Sequence, residues 1–149
     1  MILVEFKLEY AKDILEKNLR EIEAPLLEIE NWEEWFKQAG EVGPAWTLIR
    51  EDGEVIGCGG VALGEWSSGT AWLLLSSLFY SYVKTTFKLV KEKLEEVIKE
   101  HELQRVQALV DPKEEGAKRF LSHLGFQEEG MLRAYGPTKG DFLVYGRIC

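Results

Sequence analysis

The chain has 149 residues, of which 46% are hydrophobic and 30% charged, and its formal net charge is −8. This size and composition are typical of one globular domain, which we expect to span residues 1–149. The acidic balance argues against non-specific binding to nucleic acid or to anionic membranes. Apolar runs are too short or too interrupted to cross a bilayer and the N-terminus lacks a signal-peptide pattern, so we expect a cytoplasmic location. Abundant Lys and Glu beside scarce Asp and Asn indicate a thermophilic source.

The first part of the chain predicts a strand and two helices. Residues 2–6 predict the strand, and apolar residues recur at helical spacing over residues 9–19. Pro25 interrupts that pattern, and Asn31 is placed to N-cap a second helix. This second helix carries three aromatic residues on one face, namely Trp32, Trp35 and Phe36. They could wall a pocket for an acceptor molecule, although core packing is the commoner use of such a face.

A β-hairpin is the clearest local prediction. Residues 46–50 and 55–61 read as strands around Asp52 and Gly53, the dipeptide of a tight turn. Glycines at positions 57, 59 and 60 suggest a phosphate-binding loop, but no helix follows them, as such a loop requires. A β-bulge or a close approach of two backbones explains these glycines better.

The predicted fold is centred on residues 69–111. The apolar run 70–75 predicts a buried strand, residues 83–101 carry the longest helical pattern, and residues 105–110 predict another strand. A strand, a helix and a strand in this order form a βαβ unit with parallel strands. Ligands of such units bind near the carboxyl ends of the strands and the start of the helix, so we expect a site around residues 76–86.

The last part of the chain predicts a short helix and two strands. Asp111 is placed to N-cap the helix, and Gly125 to end it. Residues 126–135 and 142–148 predict strands that an antiparallel hairpin connection at 136–140 would join.

The cysteines and histidines predict no metal site. Cys58 and Cys149 lack the spacing of a metal or redox pair, and we expect two reduced thiols. His101 and His123 stand alone, without partners at the spacing of metal ligands.

The predicted order of elements resembles the GNAT superfamily of acyl-CoA-dependent N-acetyltransferases. The similarity is closest over residues 117–126, Ala-Lys-Arg-Phe-Leu-Ser-His-Leu-Gly-Phe, followed by Glu129 and Gly130. This segment looks like the family's second conserved block. The resemblance implies a mixed α/β sheet, mostly antiparallel, with a central parallel βαβ pair and helices on both faces.

The resemblance also implies acetyl-CoA as cosubstrate and a small-molecule or protein amine as acceptor. The cosubstrate would lie between the two parallel strands, with its diphosphate at the positive end of the long helix. The residues at these positions are Leu75, Ser76, Ser77, Ser81, Tyr82, Val83, Lys84 and Thr85. The family's glycine-containing phosphate loop corresponds to residues 80–85, which contain no glycine, so Ser81, Lys84 and Thr85 would bind phosphate through their side chains.

No catalytic residue is assigned. Acetyl transfer needs a group that takes the ammonium proton, and the family often uses a tyrosine at the position of Leu121. Residues 71–77 contain no carboxylate. The alternatives nearby are Glu128, Glu129, Tyr80 and Tyr135, each of which is more simply a surface or packing residue.

Two other interpretations remain open. GNAT-like proteins of tailed phages, including internal virion proteins, are similar over residues 84–99 and over Arg119-Phe120-Leu121 with Gly125. That resemblance implies a non-catalytic role in virion assembly and a location in the virion. A homodimer is a further expectation for either class. The third interpretation is a module that binds a peptide as an added strand between the two parallel strands.

Overall fold

The computed structural model describes residues 1–136 and 138–149. Pro137, within the connection predicted at 136–140, lies outside the described residues. The elements are β1 (Ile2–Glu5), α1 (Leu8–Lys17), α2 (Trp32–Glu41), β2 (Ala45–Ile49), β3 (Val55–Leu63), β4 (Ser68–Leu75), α3 (Val83–Glu100), β5 (Arg105–Val110), α4 (Glu115–His123), β6 (Gln127–Leu132) and β7 (Phe142–Ile148). Two 3-10 helices, Glu21–Glu28 and Ser77–Ser81, follow α1 and β4.

One seven-stranded sheet organises these elements, in the order β1-β2-β3-β4-β5-β7-β6. Among the strands of the described residues, β4 and β5 are the one parallel pair of neighbours, and the other neighbours are antiparallel. The long helix α3 connects the two parallel strands. The predicted mixed sheet, mostly antiparallel with one central parallel pair, is therefore confirmed.

Helices cover both faces of the sheet. Successive side chains of a strand point to opposite faces, so Leu74 and Leu75 separate the two layers. Leu74 packs with Ile14 of α1 and Phe36 of α2. Leu75 belongs to the cluster against which Leu89 of α3 packs. The predicted placement of helices on both faces is confirmed.

The glycines of β3 allow its neighbours to approach closely. A Cβ atom on Gly60 would lie 2.4 Å from the carbonyl oxygen of Pro44, and one on Gly59 would lie 2.6 Å from that of Trp72. The register between β2 and β3 also shifts and leaves Ile56 as an extra residue. The close approach that the sequence suggested for these glycines is present, whereas the bulge falls on Ile56, next to Gly57, rather than on a glycine.

Gly125 ends α4 as predicted. Its φ is +90°, a conformation that residues with a side chain rarely adopt. The N–H of Phe126 donates to the carbonyl oxygen of Leu121 at 3.0 Å, and the N–H of Gly125 to that of Ser122 at 3.1 Å. These two bonds form a Schellman motif.

Two predicted boundaries are wrong. Asn31 is the N-cap residue of α2 as predicted, although its side chain makes no cap bond, whereas Asp111 does not cap α4, which begins at Glu115. Asp111 instead accepts a hydrogen bond from the N–H of Lys113 at 2.9 Å, because an Asp side chain can close a turn as readily as it caps a helix. Strand β6 ends at Leu132 rather than at residue 135. No helix in the described part of the chain is long and apolar enough to cross a membrane.

Candidate functional site

The two parallel strands part soon after they meet. Their register pairs Ser68 with Arg105, Gly69 with Val106 and Thr70 with Gln107. Beyond Thr70, β4 is paired only with β3, and beyond Gln107, β5 is paired only with β7. We call the opening between the two strands beyond Thr70 and Gln107 the slot.

Backbone polar groups of β4 face the slot. The N–H of Ser76 donates to the carbonyl oxygen of Ile56 in β3 at 2.9 Å. Antiparallel strands present alternate residues to each other, so the N–H and C=O groups of Leu73 and Leu75 point toward the slot. Leu73 is 38% exposed although β4 is a central strand. An extended ligand with amide groups could therefore bind along this strand.

The start of α3 offers unpaired N–H groups. Tyr82, the N-cap residue, makes no side-chain cap bond, so the first-turn N–H groups lack a cap. Ser81, Val83, Lys84 and Thr85 are exposed there. The helix is 18 residues long, and the positive end of its dipole favours an anion. Lys84 adds a positive charge to this end.

The buried serine among the predicted site residues has another role. Ser76 is fully buried, and its hydroxyl donates to the carbonyl oxygen of Ile56 at 3.0 Å and accepts from the N–H of Leu78 at 3.2 Å. This hydroxyl caps the second 3-10 helix and is not free to bind a ligand. Ser77 is exposed, and its N–H donates to the carbonyl oxygen of Asn18 at 2.8 Å.

A buried arginine lies at the far end of the slot, where β4 ends. Arg20, which follows α1, is 9% exposed and donates from Nε to the carbonyl oxygen of Leu75 at 3.1 Å. Its guanidinium forms an ion pair with Glu23 and lies 3.5 Å (Nη1 to Oε1) from Glu114, the residue before α4. The same group lies 6.0 Å from the ring centroid of Tyr80. Arg20 therefore connects the end of β4 with the segment that follows β5.

The charges of this cluster are unequal, with one cation, Arg20, and two carboxylates, Glu23 and Glu114. Burial raises the pKa of Glu23, and the attraction of Arg20 opposes that rise only in part. Burial alone would lower the pKa of Arg20, but Glu23, Tyr80 and Glu114 together more than compensate, so this pKa is raised. Arg20 is thus a permanent cation beside a carboxylate that binds a proton more readily than usual.

Sequence reasoning missed Arg20 and Glu23. The only available signal is that Arg20 is the sole arginine among the first 49 residues. Its partner Leu75 is 55 positions away in the sequence, and no local pattern predicts such a contact.

The structure separates the four catalytic alternatives named from the sequence. Tyr80 lies at the slot, beside the buried arginine. Glu129 is held by Arg105 at the opposite end of β5, at 3.0 Å between Oε2 and Nη1, and these hydrogen bonds lower the pKa of Glu129. Glu128 and Tyr135 are exposed. Leu121, at the family's tyrosine position, packs against the core.

The aromatic residues of α2 pack on β4. Trp72 lies 5.9 Å from Phe36 and 6.1 Å from Trp35 between ring centroids. Trp32 also packs against this cluster. Core packing is therefore the main role of these rings, although Trp35 is 55% exposed.

Other places in the molecule are weaker candidates. One open cavity, of about 180 Å³, lies between the start of α1 and the end of α2, and another, of about 380 Å³, lies against β1 and β2 at one edge of the sheet. Neither cavity is lined by a residue of β4, β5 or α3, so we assign the site to the slot. Within residues 1–136 and 138–149, no group of three or more His, Cys, Asp or Glu side chains could hold a metal ion.

Comparison with solved structures identifies the fold. An IAA acetyltransferase from Bacillus cereus matches with a TM-score of 0.74 and 12% identity, over 99% of both chains. A ribosomal-protein-S5-alanine acetyltransferase from Vibrio fischeri matches at 0.72 and 18%, over 98% of this chain and 91% of that one. A variant of spermidine N-acetyltransferase from Vibrio cholerae matches at 0.72 and 13%, over 99% and 95%.

No protein-family model matches the sequence, and no curated protein matches it. The structural matches cover nearly the whole chain at low identity. The chain therefore has the GNAT fold, as its order of elements indicated.

Proposed function

We propose that the protein binds acetyl-CoA in the slot and transfers the acetyl group to an amine in the cytoplasm. The observation that carries this proposal is the parting of β4 and β5 next to the start of α3. A slot between two strands, open to a helix N-terminus, fits a ligand with an extended amide arm and an anionic end. The matched acetyltransferases support an amine as acceptor.

The residues of the slot divide the binding task. The backbone groups of Leu73 and the N–H of Leu75 would pair with the amide arm, as one strand pairs with another, while Arg20 holds the carbonyl oxygen of Leu75. First-turn N–H groups of α3 and the ammonium of Lys84 would hold the diphosphate. Acetyl-CoA supplies an acyl group activated as a thioester. Because residues 80–85 contain no glycine, the side chains of Lys84 and Thr85 carry more of the phosphate binding than backbone groups do.

The acceptor would approach from the side of α1 and α2. Trp35 of α2 is 55% exposed, and its ring centroid lies 6.1 Å from that of Trp72 in β4. These residues define the wall against which an amine would bind.

A thermal-shift experiment tests binding. Acetyl-CoA at about 100 times its Kd should stabilise the protein by about 2.7 kcal/mol. For a domain of this size, that corresponds to a rise in Tm of about 5–10 °C. An unchanged Tm at millimolar acetyl-CoA would overturn the proposal and favour the non-catalytic alternative, a structural role such as virion assembly.

Two charge reversals on α3 locate the diphosphate. Lys84→Glu should raise the Kd for acetyl-CoA at least tenfold, because it removes a cation from the helix start and adds an anion. Lys91→Glu makes the same change on an exposed position about 10 Å further along the helix and should leave the Kd within about twofold. Equal effects of the two variants would remove Lys84 from the site.

A further inference from the structure

Strand β1 is an edge of the sheet, and among the described residues no strand pairs with its outer side. Phe6, which follows β1, donates its N–H to the carbonyl oxygen of Ala45 at 3.0 Å, in line with the register between β1 and β2. Antiparallel strands form such bonds at alternate residues, so Val4 bonds to β2, whereas the N–H and C=O groups of Leu3 and Glu5 point outward. The strand β1 therefore offers unpaired donors and acceptors to a further strand.

A cavity lies beside the same residues. Its volume is about 380 Å³, and its lining includes Leu3, Glu5 and Trp46. Leu3 and Leu89 of α3 pack against the same core cluster, and Glu5 and its β2 partner Trp46 lie on that same face of the sheet. A side chain of an added strand that points to this face would enter the cavity. On the opposite face Ile2 is 60% exposed, which gives an added strand an apolar contact there.

The cavity has one uncompensated negative charge. Glu5 is exposed, and in the part of the chain that the structure describes it forms no ion pair. Lys93 of α3 lies 5.1 Å (Nζ) from the ring centroid of Trp46, but it is paired with Glu96 at 2.9 Å. The stem of an arginine or a lysine could pack on Leu3 while its charged end reaches Glu5. The guanidinium of arginine matches a carboxylate best, because it can donate two parallel hydrogen bonds.

We propose that the outer edge of β1 binds an extended, basic segment of another protein as an additional strand, with an arginine or lysine side chain in the cavity beside Glu5. In this mode of binding, backbone hydrogen bonds give affinity and pockets for alternate side chains give specificity. The net charge of −8 favours a basic partner over a second copy of this chain. Strands β2 and β3 separate β1 from β4, so this surface is distinct from the slot and does not depend on the proposed function.

Two labelled synthetic peptides, blocked at both ends, test the surface by fluorescence anisotropy. Both alternate threonine with valine, and one has a central arginine where the other has a central glutamate. The arginine peptide should bind about tenfold more tightly, because Glu5 attracts one central residue and repels the other. Glu5→Gln should raise the Kd of the arginine peptide about three- to fivefold and remove most of the difference between the peptides. Glu128→Gln makes the same change on β6, the other edge strand, and should leave both Kd values unchanged.

A second variant tests the backbone contribution. Glu5→Pro removes an outward N–H that β2 does not use, so the bonds between β1 and β2 are kept. Relative to Glu5→Gln, it should weaken the binding of both peptides about tenfold or more, because an added strand loses a hydrogen bond and meets the proline ring. Hydrogen exchange resolved by NMR needs no variant. The arginine peptide should slow the exchange of the Leu3 and Glu5 amides and leave that of the Val4 amide unchanged.

Several results would overturn the inference. These are no binding of the arginine peptide at millimolar concentration, equal Kd values for the two peptides, and unchanged exchange of the Leu3 and Glu5 amides. Self-association that Glu5→Pro abolishes, measured by sedimentation, would assign the edge to a second copy of the chain and overturn the inference as well. A protein that binds the arginine peptide but not acetyl-CoA would support this inference and overturn the proposed function alone.

Discussion

Gln107 donates from its side-chain Nε2 to the hydroxyl oxygen of Thr70 at 3.5 Å, across the last residue pair that aligns β4 with β5. The two backbones separate immediately beyond this contact. The slot therefore begins at a defined position, where a side-chain hydrogen bond joins the two strands. The strands do not diverge gradually.

Hydrogen exchange should detect the slot in the free protein. The amide of Leu74 points to β3 and should be protected, whereas the amide of Leu73 points to the slot and should exchange much faster. Saturating acetyl-CoA should slow the exchange of the Leu73 amide and leave that of the Leu74 amide unchanged. Exchange resolved by NMR measures both amides, and equally slow exchange without ligand would show that the strands are closed together.

Replacing Arg20 should destabilise the fold. Arg20→Met leaves Glu23 buried without its cation, which should lower the free energy of unfolding by about 3 kcal/mol. The double variant Arg20→Met/Glu23→Leu removes both charges and should recover most of that loss. Urea unfolding measures both values. A single variant as stable as the original protein would show that Glu23 reaches solvent.

A buried hydroxyl offers a stabilising substitution. Thr47 of β2 is fully buried, and within residues 1–136 and 138–149 its Oγ1 has no hydrogen-bond partner. Thr47→Val keeps the shape, removes the unpaired group and should stabilise the protein by about 1 kcal/mol in urea unfolding. Thr70→Val is the matched control, because it removes a hydroxyl that accepts from Gln107 and should not stabilise. A less stable Thr47→Val would reveal a bound water at this hydroxyl.

The hairpin turn gives a dependence on pH. Two hydrogen bonds from Arg50 and one from the N–H of Glu54 lower the pKa of Asp52 from 3.8 to about 2. A depressed carboxyl pKa contributes stability that is complete above the unfolded value, about 3.9, and is lost as the pH falls toward 2.

Asp52→Asn should therefore flatten the loss of stability between pH 4 and pH 2, measured by urea unfolding across that range. Glu65→Gln, an exposed change in the next hairpin, should leave the slope as it is. If the loss of stability is equally steep in Asp52→Asn, the carboxyl group of Asp52 has the same pKa in the folded and the unfolded chain.

The sequence predicts the fold well because periodicity reports which face of an element is buried. The run 70–75, the pattern of 83–101 and the hairpin at Asp52 and Gly53 each specify an element and its neighbours. The expectation of a site beside the start of α3 follows from that topology.

The far end of the slot could not be predicted in the same way. The partners of Arg20 are distant in sequence, and a single charged residue leaves no periodic pattern from which its contacts could be predicted. The predicted cap at Asp111 is wrong for a related reason, since a short polar side chain can satisfy either a helix or a turn. Which of the two it does depends on where neighbouring segments place the chain.

The short paired stretch between β4 and β5, which we call the seam, links ligand binding to the rigidity of the sheet. Three aligned residue pairs join a half-sheet of four strands to one of three. A molecule that lies along Leu73 and Leu75 would extend that seam and bind the halves as an inserted strand does. Occupancy would then suppress the relative twisting of the two halves, so the protein would be stiffest when such a molecule is bound.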